Sequence, residues 1–162
     1  MKIEDIEPVS INLEGYNTTA FVSKKTLKIG IVVATFNKAI TSRLLKGALH
    51  YFREHPIQDK NITVIFVPGA FELPVRAQQL LKSGLDSVIC LGCVIRGDTA
   101  HFDFVAGECA RGIMTASLNE NKPIIFGVLT TDTVDQALDR CQEDTNNKGY
   151  EAAESACQLL NS

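Results

Sequence analysis

Four apolar stretches punctuate the chain: Ile29 to Ala34, Ile62 to Val67, Val88 to Leu91 and Ile124 to Leu129, each nearly unbroken and rich in Val and Ile. A strand with one wet face alternates apolar and polar residues. Continuous runs of this kind therefore predict strands buried on both faces. Between the runs the period changes. Ile40, Leu44, Leu45, Ala48, Leu49 and Phe52 recur at helical spacing, and so do Leu73, Ala77, Leu80 and Leu81. Pro74 suits the first turn of that second helix and Gly84 the position just past its end. A third helix is predicted from the neighbourhood of His101 to Asp103, carrying Val105, Cys109, Ile113 and Ala116 on one face. Thr131, Asp132 or Thr133 caps a fourth ahead of Val134, and a fifth runs from about Lys148 to Leu160.

The order β-α-β-α-β-α-β-α-α predicts an α/β fold, a three-layer α/β/α sandwich around a four-stranded, mostly parallel sheet. Residues 1–26 stand outside this rhythm, polar with one β-prone patch from Thr18 to Val22. They read as an N-terminal arm, either frayed or adding a strand to a neighbouring subunit's sheet. Residues 27–162 then form one domain, which is what 162 residues accommodate.

Charge and cysteine content narrow the class of partner. Sixteen basic against 19 acidic side chains give a net charge of -3, so no overall field favours nucleic acid or an anionic membrane. No apolar run approaches the roughly 20 residues that span a bilayer. The opening MKIEDIEPVS is acidic where an export signal is basic and then apolar, and a cytoplasmic location is the expectation. The five cysteines are scattered, unlike a secreted disulfide framework. Cys90 and Cys93 form a C-x-x-C, but positions three apart on a strand face opposite ways, which argues against a redox pair or half a zinc site.

The candidate chemistry lies where the strands end. Loops following parallel strands share one edge of a sheet, so TFN at Thr35 to Asn37, PGAFELP at Pro68 to Pro74 and GCVIRGDTAHFDF at Gly92 to Phe104 are expected to gather into one crevice. Dinucleotide and triphosphate fingerprints are absent: Gly92 and Gly97 have P-loop spacing, but Asp98 stands where its lysine belongs. Phe36 and Phe71 either pack into the core or form a platform for a flat heterocycle. Asn37 and Glu72 suit hydroxyls and ring edges, or else a turn amide and a helix-start carboxylate. Asp98 and Thr99 lead into the third helix, where they either receive a phosphate at the positive helix end or simply cap it. His101 is the one histidine of the crevice and its natural general acid or base. Arg140 and Lys148 flank QEDTNN with no evident helical pairing, and a surface role is their default.

Taken together, TFN, VPGAFELP, GCVIRGDTAHFDFV, FGVLTTDT and NKG resemble the 6,7-dimethyl-8-ribityllumazine synthase family of riboflavin biosynthesis, in order and at the expected spacing from about Lys28 to Leu160. The resemblance implies a flavodoxin-like sandwich. It also implies a cofactor-free, metal-free condensation of 5-amino-6-(D-ribitylamino)uracil with 3,4-dihydroxy-2-butanone 4-phosphate. Phe36 would stack on the pyrimidine, Ala70, Phe71 and Glu72 would hold it and its ribityl chain, and Cys93, Val94 and Ile95 would present strand-end backbone to the uracil edge. Asp98 and Thr99 would receive the phosphate and His101 would transfer protons. Phe126 and Arg140 would be lent by a neighbouring subunit, with Lys148 an accessory cation. The family also implies a homo-oligomer of pentamers, singly, stacked or as a shell, with association with riboflavin synthase. Two rivals remain at this point, an archaeal-type riboflavin synthase and a non-catalytic flavin- or lumazine-binding or shell protein.

Overall fold

Period-two alternation inside each apolar run sends successive side chains to opposite faces of the sheet, and both faces are covered. The computed structural model describes Asn12, Glu14, residues 26–55, Ile57 and residues 59–161. Its strands are β1 (Ile29–Ala34), β2 (Ile62–Val67), β3 (Ser87–Ile95) and β4 (Ile124–Thr131). Its helices are α1 (Lys38–Glu54), α2 (Leu73–Lys82), α3 (His101–Glu120), α4 (Val134–Asp139) and α5 (Lys148–Asn161). In β1, Ile29, Ile31 and Val33 enter one core while Val32 and Ala34 enter the other, and β3 divides Ile89, Leu91 and Cys93 from Val88 and Cys90 in the same way. The first core is closed by Leu44, Phe52, Ala153 and Ala156 of α1 and α5. Leu73, Ala77, Cys109 and Ile113 of α2 and α3 close the second. This is the anticipated three-layer sandwich.

The strands lie in the order β2-β1-β3-β4 and every neighbouring pair is parallel. The chain therefore steps from β1 outward to β2 and later returns to the other side of β1. The exits of β1 and β3 flank that switch point, the place where an open α/β sheet leaves a crevice at its carboxyl edge.

Both ends of α2 and the start of α4 follow the expected signals. Pro74 stands in the first turn of α2, and Gly84 follows that helix with φ 107°, a left-handed value that glycine adopts without strain. Thr133 caps α4 by accepting the Gln136 N–H at 3.2 Å. Two strands outrun their apolar runs. β3 continues through Gly92 to Ile95 because β4 continues beside it, pairing Gly92 with Val128 and Ile95 with Thr131. A Cβ at Gly92 would lie 3.0 Å from Leu73 Cδ1 and 3.3 Å from Val128 Cγ1, so the residue that interrupts the apolar run marks close packing inside the strand and not a strand end. Apart from Asn12, Glu14 and Thr26, the proposed arm lies outside the described residues.

All five cysteines are free and buried, and Cys90 and Cys93 fall in opposite cores, as the strand geometry demands. Burial pushes the Cys93 and Cys157 thiols up to about 11 and Cys109 to about 12, from 9.0. A thiol whose folded pKa is raised favours the folded state fully below its unfolded value, and that contribution is lost as pH climbs through the folded value. The expected result is thiols inert to a disulfide-exchange reagent at about pH 8 until the chain unfolds, and a melting temperature that declines above about pH 9. Rapid labelling of the native protein would contradict this picture.

Candidate active site

Each wall of the crevice is built by a loop whose backbone is held independently of any ligand. After β1 the ladder is prolonged by Thr35 N–H donating to Val67 O at 2.8 Å and Phe36 N–H to Pro68 O at 2.9 Å. Asn37 then turns left-handed, φ 56°, which its short amide tolerates, and opens α1. Its Nδ2 donates to Cys93 O at 2.9 Å, tying the β1 exit to β3 across the switch point. The strain and the cross-link together turn Phe36 outward, 71 % exposed. After β2, Glu72 Oε2 accepts the Gly69 N–H at 2.9 Å and closes a 3₁₀ turn over Ala70–Glu72. Ala70 is buried beneath that turn while Phe71 stands 58 % exposed. The core-packing alternative for both phenylalanines is thereby overturned.

The third wall is fixed by Arg96. Its backbone N–H donates to Thr131 O at 2.9 Å. Its guanidinium binds Asp132 Oδ1 at 3.0 Å and Asp103 Oδ1 at 3.2 Å and lies 4.2 Å from the centre of the Phe102 ring. The two carboxylates raise the guanidinium's pKa further and hold its charge, so Arg96 braces the loop and the start of α3. Within the loop Thr99 Oγ1 accepts the His101 N–H at 3.3 Å. Thr99 is thus the partial cap, whereas Ala100 occupies the cap position and α3 receives no capping hydrogen bond from it.

These walls enclose a cavity of about 490 Å³, lined by Phe36, Ala70, Phe71, Glu72, Cys93, Val94, Ile95, Thr99 and His101 together with Gly69, Gly97, Phe102 and Val105. Nine of the sequence-derived positions thus meet in one space. Asn37 braces this space and Asp98, exposed beside it, is not part of the lining. Phe102 and Val105, missed from the sequence, share a face of α3 three residues apart, a spacing that could have marked them. Two aromatic faces with a carboxylate and strand-end backbone suit a flat, polar-edged ring, and the start of α3 offers the positive end of a 20-residue helix to an anion.

Phe126, Arg140 and Lys148 are elsewhere. They line a separate depression of about 310 Å³ along the outer strand β4, with Glu151 and Ser155. Arg140 Nη1 donates to Gln136 O at 2.9 Å and has no carboxylate partner among the described residues. Lys148, expected to lack a helical partner, has one: its Nζ binds both oxygens of Glu151, at 2.6 and 2.9 Å, one turn along α5. Among the described residues no three His, Cys, Asp or Glu gather to hold a metal, and no helix is long and apolar enough to cross a membrane.

A doubly wound α/β sheet with an aromatic-walled crevice, one histidine and a helix start at its switch point has the form of an α/β enzyme acting on small molecules. The family model of 6,7-dimethyl-8-ribityllumazine synthase matches residues 26–162, nearly the whole described fold. The chain belongs to that family. It is a transferase of riboflavin biosynthesis, and its reaction is the condensation of 5-amino-6-(D-ribitylamino)uracil with 3,4-dihydroxy-2-butanone 4-phosphate. The family match favours this activity over both rivals, and with it come small-molecule substrates and oligomeric active sites.

Proposed function

We propose that each catalytic centre joins the crevice of one subunit to the β4 depression of the next. The observation that carries this reading is the separation itself: among the described residues the crevice is lined by a histidine and aromatic rings but no Lys or Arg, while Arg140, with no described carboxylate partner, lines the other cavity. Phe36 and Phe71 sandwich the pyrimidine, Glu72 and the backbone from Cys93 to Ile95 engage its polar edge and ribityl chain, and the neighbour's Phe126 covers it. Asn37 acts from beneath, holding the platform. Phosphate sits between the start of α3, with Thr99 and the backbone at Asp98, and the neighbour's Arg140 and Lys148.

His101 then moves protons at three points. The 5-amino group attacks the ketone and water leaves as the imine forms; phosphate is eliminated; the ribitylamino nitrogen closes the ring with loss of a second water. Each step needs a proton delivered to a leaving oxygen or removed from nitrogen or carbon, which one imidazole beside both substrates supplies.

When one subunit's crevice meets the next subunit's β4 depression head to tail, every site is completed only where the rotation closes into a ring. A pentamer, or an assembly of pentamers, is the form we favour. Phe104, Met114 and Leu118 of α3 are 61 to 71 % exposed, and Phe66 on the outer strand β2 is 59 % exposed, which suits burial by neighbours and strand addition by an arm of residues 1–26. Residues 27–162 form the catalytic domain, in keeping with a family match that starts at residue 26. Five buried, free thiols suit the reducing cytoplasm, where riboflavin synthase is the expected consumer and partner.

Mixed assemblies test the shared site. Co-expressed His101→Ala and Arg140→Ala subunits, each impaired alone at low phosphorylated substrate, should together regain activity at about one quarter of the sites, since each contact has one intact pairing in four. No recovery in verified mixed rings would place both residues in one subunit's site.

A further inference from the structure

Asn147 is 3 % exposed, and both ends of its carboxamide are engaged. Nδ2 donates to Gln142 O at 2.9 Å and to Arg43 O at 3.2 Å. Oδ1 accepts the N–H of Gly149 at 2.8 Å and of Tyr150 at 3.4 Å. One side chain therefore caps α5, closes the loop before it and fastens both to α1. The surroundings leave no slack: a Cβ at Gly47 would overlap Asn147 Oδ1, and a Cβ at Gly149 would overlap the carbonyl oxygen of Leu44.

What this fastening holds is the spacing of two backbone positions that carry cations. Lys148 N–H donates to Arg140 O at 2.9 Å, so the loop of residues 141–147 is closed at a neck whose two sides are Arg140 and Lys148. Both side chains line the β4 depression. Core burial of Cys141 and the Lys46–Glu143 pair anchor the first half of that loop, whereas its return to Lys148 is fastened to α1 through Asn147, so losing the amide would loosen the Lys148 side of the neck. Charge-assisted bonds to an anion tolerate little such movement.

We propose that Asn147 is a positioning residue for phosphate recognition, setting the distance between the Arg140 and Lys148 cations. The inference rests on the assignment of those two cations to the substrate phosphate. Its chemistry is specific to an amide, which alone among side chains of this size offers two donors and an acceptor at once. Ser offers an acceptor to the start of α5 without adding charge, but its single hydroxyl proton cannot serve both Arg43 O and Gln142 O.

The test compares the neutral variants Asn147→Ala and Asn147→Ser with the parent full-length protein, in assemblies of verified size and below their melting temperatures. The readouts are the inhibition constant of inorganic phosphate, the KM of the phosphorylated substrate and the KM of the pyrimidine. The expected result is a roughly tenfold weakening of both phosphate-dependent constants with the pyrimidine KM nearly unchanged. Should the Ala variant fail to assemble, the Ser variant, equally free of added charge, carries the same comparison. A merely structural role would lower the melting temperature and the active fraction and leave all three constants alone, and that outcome overturns the proposal. Arg140→Ala run alongside separates the failures: if it too leaves the phosphate constants unchanged, the phosphate assignment falls and this inference with it.

Discussion

Replacing His101 by Ala is expected to lower kcat roughly 10²- to 10⁴-fold while leaving both KM values close to those of the parent. The split follows from where the residue sits. His101 opens α3 and lines the crevice, but the aromatic faces of Phe36 and Phe71, the strand-end backbone and the helix start, to which we assign substrate binding, do not depend on its ring. Its backbone is also held by Thr99, so removing the imidazole leaves the loop in place. Orientation of two bound substrates supplies a large share of such a rate enhancement, up to roughly 7–11 kcal/mol in favourable systems, and it survives the substitution. The variant should therefore be slow and not dead. Steady-state formation of the fluorescent lumazine, followed with phosphate release, measures the effect. A kcat within a few-fold of the parent would remove His101 from proton transfer, and a selective rise in one KM would make it a binding residue instead.

How far this site could be read from residues alone depends on whether the signal was local. The runs that alternate between two cores announced a doubly covered parallel sheet, and that topology by itself brings TFN, PGAFELP and the loop into α3 to one edge. Thr133, Pro74 and Gly84 act within a turn of their own position and were legible for the same reason. The exit of β3 was legible in part: Cys90 and Cys93 read as one strand, but why Gly92 interrupts the apolar run shows only once Leu73 packs against the space where a side chain would be. Arg96 was not legible, since its role depends on Asp132 from the end of β4, 36 residues away. Asn147 is the extreme case: Gly149 and Gln142 are near in sequence, but the Arg43 carbonyl that completes its environment lies 104 residues earlier. Lys148 shows the reverse error, since its Glu151 partner stood three positions along and only the helix start had to be placed to see it.

The contrast between the two cations of the β4 depression sets the second large effect. Arg140→Ala is expected to raise the KM for the phosphorylated substrate roughly 10²-fold, with the pyrimidine KM little changed, because deleting one member of a desolvated charge pair costs about 2–5 kcal/mol. The guanidinium is held by Gln136 O and no described carboxylate neutralises it, so its charge and its remaining donors are available to an anion in fork geometry. Lys148 starts from a different state. Its ammonium is already bound by both oxygens of Glu151, and an incoming phosphate must compete with that carboxylate. Lys148→Ala should accordingly cost less than Arg140→Ala. Arg140→Lys, which keeps the charge but loses the planar fork, should fall between the parent and the Ala variant. Measuring KM for each substrate across the three variants decides the matter. The opposite ranking, with Lys148 dominant and Arg140 indifferent, would move the phosphate to the first turn of α5 and leave Arg140 a surface residue at the end of α4.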